Sequence, residues 1–487
     1  MTRSRALALS RVLPARALVV ASVFAALGGC MVGPDYVRPS APESATFKEA
    51  VDWKVAQPRD DAPRGPWWEA FAEPELNALV SQVEINNQTV AAAAARVREA
   101  QAVTQASRSQ LFPAINANAA ALRTSRGSSA GSSSSGGSSV TNSYNVALDL
   151  NWEIDLWGGI RRGIEASGAT AQASAADLAA ATLSMQALLA QDYLLLRVQD
   201  AEIALLRETV AAYERSLQLT QNQYKAGVVA RGDVAQAEAQ LASTRAQLLD
   251  ATIARAQLEH AVAVLIGKPP SDLTIAPRPL ATVFPQIPVT LPSELLERRP
   301  DIAAAERRTA SANAQIGVAQ AAFFPALTLG ATAGVQSSVI GNLLSLPARY
   351  WSIGPAIAQA VFDAGLRQAQ KAQAIAAYDE TVANYRGAVL TAFQEVEDNL
   401  AALSILEREA AVQDEAVKAA RESAAIALNQ YRAGTANYLA VVVLQTAALN
   451  SERTALTIHG RRLTASVALI KALGGGWNAA QLAPTAS

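Results

Sequence analysis

The chain has a single cysteine in 487 residues, two histidines, three methionines and only 5% aromatic residues. One thiol, Cys30, excludes an intramolecular disulfide. His260 and His459 stand about 200 residues apart in helical stretches. They lack the clustered His/Cys partners of a metal site, which leaves them surface or packing roles. No Gly-rich phosphate loop and no nucleophile elbow occurs, so an enzyme is the least supported class. A formal charge of −1 gives no electrostatic footprint for nucleic acid. Apolar residues make up 51% of the chain, and much of that is alanine. Alanine favours helix and buries little area, so the composition predicts long, closely packed helices rather than a bulky core.

What is present begins at the N-terminus. Arg3, Arg5, Arg11 and Arg16 precede an apolar run from Ala17 to Leu27, which ends in Leu27-Gly28-Gly29-Cys30. A basic start, an apolar middle and small residues before a break describe an export signal over 1–29. The run falls short of the roughly 20 residues a spanning helix needs. The tetrapeptide resembles a bacterial lipobox, in which the cysteine becomes the lipidated first residue; a covalent lipid on Cys30 is therefore expected, and no other cofactor. Cleavage there removes four arginines and no acid, taking the formal charge from −1 to −5. Met31 follows with no Asp, which by resemblance to lipoprotein sorting implies the outer membrane. Residues 30–66 carry six prolines and no helical period, and read as an extended tether.

From Asn145 to Asp155 the chain alternates without a break. Val146, Leu148, Leu150, Trp152 and Ile154 share one face; Asp149, Glu153 and Asp155 share the other. That pattern suits a one-sided soluble sheet, or a barrel strand with lipid outside and a wet lumen inside. With a Ser/Gly-rich loop over 124–142 and a shorter strand before it, it makes a hairpin over 114–155. Gly158-Gly159 then opens a proline-free helix to about Ala226, about 100 Å at 1.5 Å per residue. It stops at Tyr224-Lys225-Ala226-Gly227. Asp233 is the expected cap of a return helix running to Gly267.

The pattern then repeats. Asn222-Gln223-Tyr224-Lys225-Ala226-Gly227 recurs 207 residues later as Asn429-Gln430-Tyr431-Arg432-Ala433-Gly434. Phe112-Pro113 recurs as Phe324-Pro325, and Gly159-Ile160-Arg161 as Gly365-Leu366-Arg367. The expected organisation is a first repeat over 67–267, a Pro-rich connector over 268–292, a second repeat over 293–473 and a tail over 474–487. The second repeat holds a strand hairpin over 327–361 and a helical hairpin over 365–473. Trp351, Ile353 and Ile357 share one face, and the loop Ser337–Arg349 is taken as polar or small. Four strands cannot close a barrel, and an open edge in lipid leaves backbone groups unpaired at several kcal/mol each, about the cost of burying bare amides. The chain must therefore assemble: two copies give eight strands, three give twelve and a wider lumen.

The LGGC lipobox, the following GPDYVRP, the PWWEAFAEPEL segment and the paired NQYKAG and NQYRAG turns resemble the outer-membrane factor family. These are TolC-like exit ducts of tripartite efflux pumps, and the OprM- and NodT-like lipoprotein branch in particular is similar. The resemblance implies a mainly α fold with a membrane β-barrel. Each chain of a homotrimer gives four strands to a shared twelve-stranded outer-membrane barrel, continuous with a long α-helical periplasmic barrel. It also implies a periplasmic adaptor (a membrane fusion protein) and an inner-membrane RND-type transporter that delivers drugs or other toxic small molecules. Adaptor contacts are implied at Tyr224, Ala226, Gly227 and Val228, and at Tyr431, Ala433, Gly434 and Thr435. Glycine permits close backbone approach there, and equally serves as a plain helix stop. Many members carry an acid after Asn-Tyr-Leu; here Val443 occupies that place. An apolar constriction of Val441, Val442, Val443 and Leu444 is one alternative, closing by dewetting; simple packing between helices is the other. Arg231 and Asp233 are candidates for an ionic latch at the first turn. The competing readings are the outer-membrane channel of a type I protein-secretion system and a non-conducting structural envelope lipoprotein.

Overall fold

Duplication is visible in the element lengths. The computed structural model describes residues 31–42, 46–50, 66–126, 139–280, 284–285, 298–477 and 482. The export signal, Cys30 and residues 281–283 and 286–292 of the connector lie outside them. In chain order the elements are α1 (Pro74–Asn86), α2 (Gln88–Ser109), β1 (Ala114–Arg126), β2 (Ser139–Ile154), α3 (Gly159–Lys225) and α4 (Arg231–Leu265). Then come α5 (Pro300–Ala321), β3 (Ala326–Ser337), β4 (Arg349–Ala358), α6 (Leu366–Arg432) and α7 (Tyr438–Ala472). Helices α2 and α5 each have 22 residues, α3 and α6 each 67, and α4 and α7 each 35.

Helix α3 is the axis of the molecule. It packs against α1, α2, α4, α5 and α7, while α6 packs against α5 and α7. Ala166, Ala169, Ala173 and Ala176 are buried at spacings of three and four, the period of one helix face. Small side chains let neighbouring backbones lie close. By composition alone, α3 is long and apolar enough to cross a membrane; alanine packed against other helices accounts for that.

A larger core forms around Phe71, Leu76, Val80, Tyr193, Leu196 and Ile266. It encloses an ionic network. Arg197 pairs with Glu75 at 2.6 Å and Asp200 at 2.9 Å, and donates to the Ala276 carbonyl at 2.8 Å. Arg255 reaches the other Asp200 oxygen at 2.6 Å and Glu259 at 2.8 Å. Four chain segments meet there: α1, α3, α4 and the residues after α4.

The four strands form one antiparallel sheet in the order β1-β2-β3-β4. Four sequence expectations need correction. Strand β2 ends at Ile154, so Asp155 is not a strand residue, and β4 ends at Ala358, short of 361. Helix α4 starts from Ala230 with no side-chain cap; Asp233 sits in its first turn. The β3–β4 loop is not polar: it forms two 3-10 turns and exposes Val339, Ile340, Leu344 and Leu346.

The structure describes residues 31–42 and 46–50 of the tether. This part is a strap docked along the helices. Val32 donates to the Trp157 carbonyl at 3.0 Å, Asp35 pairs with buried Arg162 at 2.8 Å, and Tyr36 donates to Glu306 at 2.6 Å. Further along, Phe47 is buried against Val396 and Leu400, and the Lys48 and Glu49 amides donate to Glu397. Gly33 makes this docking possible. Its φ is +99°, and an added Cβ would lie 2.4 Å from the Gly317 Cα. Gly33→Ala is expected to undock the strap at a cost of about 1–3 kcal/mol for the forced backbone alone. Limited proteolysis should then cut within 31–49 faster than in the parent. Gly163→Ala, where an added Cβ meets nothing within 4 Å, should leave the pattern unchanged. Equal cleavage of both variants would refute the docking role.

Candidate functional site: a two-faced sheet and a helical tip

The sheet has one polar and one apolar face, set by an unbroken register. Asn116, Asn118 and Asp149 share a face with Thr332 and Tyr350. Asp149 accepts from Asn118 Nδ2 and from Thr332 Oγ1 at 2.6 Å. Tyr350 donates to Asn145 at 2.9 Å, and Gln336 to Ser143 at 3.2 Å. These bonds tie all four strands across one face. The opposite face exposes Ile115, Val146, Leu148, Trp351, Ile353 and Ile357. Such a sheet suits hydrocarbon on one side and water on the other. Strands β1 and β4 are its two edges, each paired on one side only.

Aromatic side chains mark one end of the sheet. The Trp152 indole donates to the Leu111 carbonyl at 2.9 Å, and the Trp157 indole to the Pro325 carbonyl at 2.8 Å. Trp157 stacks on Phe324 at 4.7 Å. Amphipathic rings favour a membrane–water boundary.

At this boundary both repeats turn from strand to helix by the same device. Asp155 accepts from the Ile160 and Arg161 amides at 3.1 and 2.9 Å, and pairs with the Arg161 guanidinium at 3.2 Å. Asp363 accepts from the Gly365 and Arg367 amides and pairs with Arg367 at 2.5 Å. Carboxylates at a helix N-terminus satisfy its orphan amides. Asp155 therefore seats a helix rather than lining a lumen. Met31, the residue after Cys30, abuts Gly158 at this level.

The helical tips lie at the far ends of α3 and α6. Both turns close with the same bonds. Gly227 donates to the Tyr224 carbonyl at 2.9 Å and Val228 to Gln223 at 2.9 Å; Gly434 donates to Tyr431 at 3.0 Å and Thr435 to Gln430 at 2.9 Å. Gly227 and Gly434 have φ of +72° and +74°, the left-handed stop that glycine tolerates. Ala226, Gly227, Val228, Ala433, Gly434 and Thr435 are all exposed.

The two tyrosines part company. Tyr224 is exposed, whereas Tyr431 is buried and packs edge-on against Tyr438 at 5.2 Å. Tyr431 donates to Thr220 Oγ1 at 3.1 Å, and Tyr438 accepts from Ser216 Oγ at 3.4 Å. The second hairpin is thereby fastened to the end of α3, in the first. Tyr438, Ser216 and Thr220 were missed from sequence. Aligning the repeats at 207 residues would have flagged the first of them, because Arg231 stands where the second repeat has Tyr438.

The gate candidates fall in different places. Val441 is fully buried inside the chain, with Val442 and Leu444 partly buried in the same cluster as Tyr431 and Tyr438. Packing accounts for these three, and only Val443 of the four is exposed. Arg231 does not latch to Asp233 within the chain; it pairs with Glu238 at 3.4 Å. Of the histidines, His459 lies against Phe284 at 4.7 Å and His260 is exposed on α4.

Comparison with known proteins matches this geometry. Over 460 residues the chain is 32% identical to the pyoverdine export outer membrane protein OpmQ of Pseudomonas aeruginosa, covering 93% of this chain and 95% of that protein. It is 33% identical over 457 residues to the probable efflux pump outer membrane protein TtgC of Pseudomonas putida, covering 93% of each. Among solved structures, the outer-membrane channel OprN superposes with a TM-score of 0.85 at 32% identity, covering 92% of this chain and all of that one. The Campylobacter jejuni CmeC outer membrane channel superposes with a TM-score of 0.86 at 25% identity, over 93% and 96% of the two chains. Residues 79–268 and 291–475, one segment in each repeat, match the family described as outer membrane efflux protein. A two-faced strand sheet on duplicated helical hairpins, matched along nearly its whole length, places this chain in the outer membrane efflux protein family as an outer-membrane channel.

Proposed function

We propose that three copies close their sheets into one twelve-stranded barrel and form a passive exit duct. An RND-type inner-membrane transporter would load it through a periplasmic adaptor seated on the exposed Gly227 and Gly434 turns. The observation that carries this reading is the sheet itself: four strands, two faces of opposite polarity and two open edges. Open edges in hydrocarbon are untenable, so β4 of one copy must meet β1 of another. A 67-residue helix reaches about 100 Å below the sheet, a length suited to crossing a periplasm. The cargo class is small toxic molecules, in keeping with relatives named for pyoverdine, toluene and antibiotic transport. A lipid on Cys30 would sit at the membrane boundary, since Met31 packs at the strand-to-helix junction; an acyl mass on the mature N-terminal peptide checks that.

The test is planar-bilayer conductance of the mature protein, with its oligomer mass measured in the same detergent. A trimer with discrete, mostly closed events is expected. A monomer would refute the shared barrel, and a trimer that never conducts, even with the tip loosened, would refute the duct.

A further inference from the structure

The end of the sheet opposite the tryptophan belt is cationic on its outer face. Residues 122–143 and 337–350 contain Arg123, Arg126 and Arg349 and no Asp, Glu or Lys. Register puts two of these on the apolar, lipid-facing side. Arg123 shares the face of Ile115 and lies eight residues along β1 from it; Arg349 shares the face of Ile357, eight residues along β4. Tyr144 lies eight residues from Trp152 on the same face of β2. At about 3.4 Å per residue, each separation is about 27 Å, close to the height of a barrel's apolar band, about 25 Å. Arg123, Tyr144 and Arg349 therefore form the outer rim of that band. Both arginines are exposed, and no carboxylate pairs with either among the described residues.

An outward arginine at a lipid boundary meets headgroups. Its planar fork suits phosphate, which it binds in bidentate fashion. We propose that Arg123 and Arg349 form a docking site for the phosphorylated glycolipid of the outer leaflet, with Tyr144 beside it at headgroup level. The arginines occupy the two edge strands. In the shared barrel proposed above, β4 of one copy meets β1 of the next, so the two guanidinium groups flank each seam and match a lipid carrying two phosphates. The lipid would then clasp the subunits from outside.

The experiment titrates the purified trimer with diphosphoryl lipid A and follows binding by native mass spectrometry. Monophosphoryl lipid A, phosphatidylethanolamine and inorganic phosphate serve as comparison probes. Diphosphoryl lipid A should bind at least tenfold more tightly than the monophosphoryl form and resist displacement by equimolar inorganic phosphate. Arg123→Gln with Arg349→Gln should lower its affinity tenfold or more, and the paired lysine variant should lose less. Equal binding of phosphatidylethanolamine, displacement by phosphate, or wild-type affinity in the double glutamine variant would each overturn the proposal. The probe comparison on the parent protein needs no variant to fold. The same spectra report the trimer mass, so failure of the shared barrel is seen separately: a monomer whose binding still depends on both arginines would refute only the seam.

Discussion

Tyr438→Ala is expected to raise the open fraction of the channel a hundredfold or more, seen as frequent conductance events and as leak of large antibiotics into cells. Tyr438 is almost wholly buried at the tip, with Tyr431, Ala237, Ala427 and Val441 around it. Truncating a buried ring costs about 3–5 kcal/mol. That cost falls on the fastened arrangement of the two hairpins, because the ring's contacts run from α7 to α6 and its hydroxyl accepts from Ser216 on α3. A state in which the hairpins part loses these contacts anyway. Each 1.4 kcal/mol of difference between two states is about a tenfold shift in population, and only a differential loss moves it. Tyr438→Phe keeps the ring and gives up one long bond at 3.4 Å, so it should change little. Tyr224→Ala, at the exposed counterpart of Tyr431 in the first repeat, should leave closure intact. Burial pushes the Tyr438 hydroxyl above its ordinary pKa, and burial does the same for Tyr431, reinforced by nearby Asp233 and opposed by the Thr220 bond. Both hydroxyls therefore stay protonated through pH 9, and closure should not weaken between pH 6 and 9. A Tyr438→Ala trimer as quiet as the parent would place the closing contact elsewhere.

The contrast between Tyr224 and Tyr431 marks how far the sequence can be read. Alternation along β2, the 207-residue repeat and the glycine stops are local patterns, set by backbone period and left-handed φ. They were legible without tertiary contacts. The burial of a tyrosine within one repeated hexapeptide depends on which hairpin it packs against, and no local rule carries that. The strap is a sharper case. Its contacts join residues 125 to 349 positions apart, and extended Pro-rich chain has no period to betray the groove it fills. Asp155 was misplaced because the alternation continues one residue past β2, while the amides it caps come from the helix that follows. The β3–β4 loop was misjudged by its glycine and serines, although Val339, Ile340, Leu344 and Leu346 were in plain view.

Asp200→Ala is expected to cost about 3–5 kcal/mol per chain, the price of leaving buried charge unpaired. Its carboxylate is shared: one oxygen takes Arg197, whose side chain is 1% exposed, and the other takes Arg255. Without it, two guanidinium groups face each other in a largely dry site. Both also hold the chain after α4, Arg197 through the Ala276 carbonyl and Arg255 through the Ile275 carbonyl at 2.5 Å. The lesion should therefore detach that segment from α1 and α3 and spread into the core around Phe71 and Leu76. The expected readouts are a lower melting temperature and a smaller yield of folded channel, with unitary conductance unchanged in what survives. The network sits far from both the sheet and the tip, so it acts on assembly rather than on the pore. A compensated variant separates lost charge balance from lost packing. Replacing a whole buried ionic cluster by apolar side chains is often neutral, whereas removing one member is not. Asp200→Ala combined with Arg197→Met, Arg255→Met, Glu75→Gln and Glu259→Gln, which also removes the two carboxylates those arginines pair with, should thus recover most of the stability that the single variant loses. If this combined variant is as unstable as the single one, the guanidinium bonds to Ile275 and Ala276 are what hold the chain after α4, and the ion pairs are secondary.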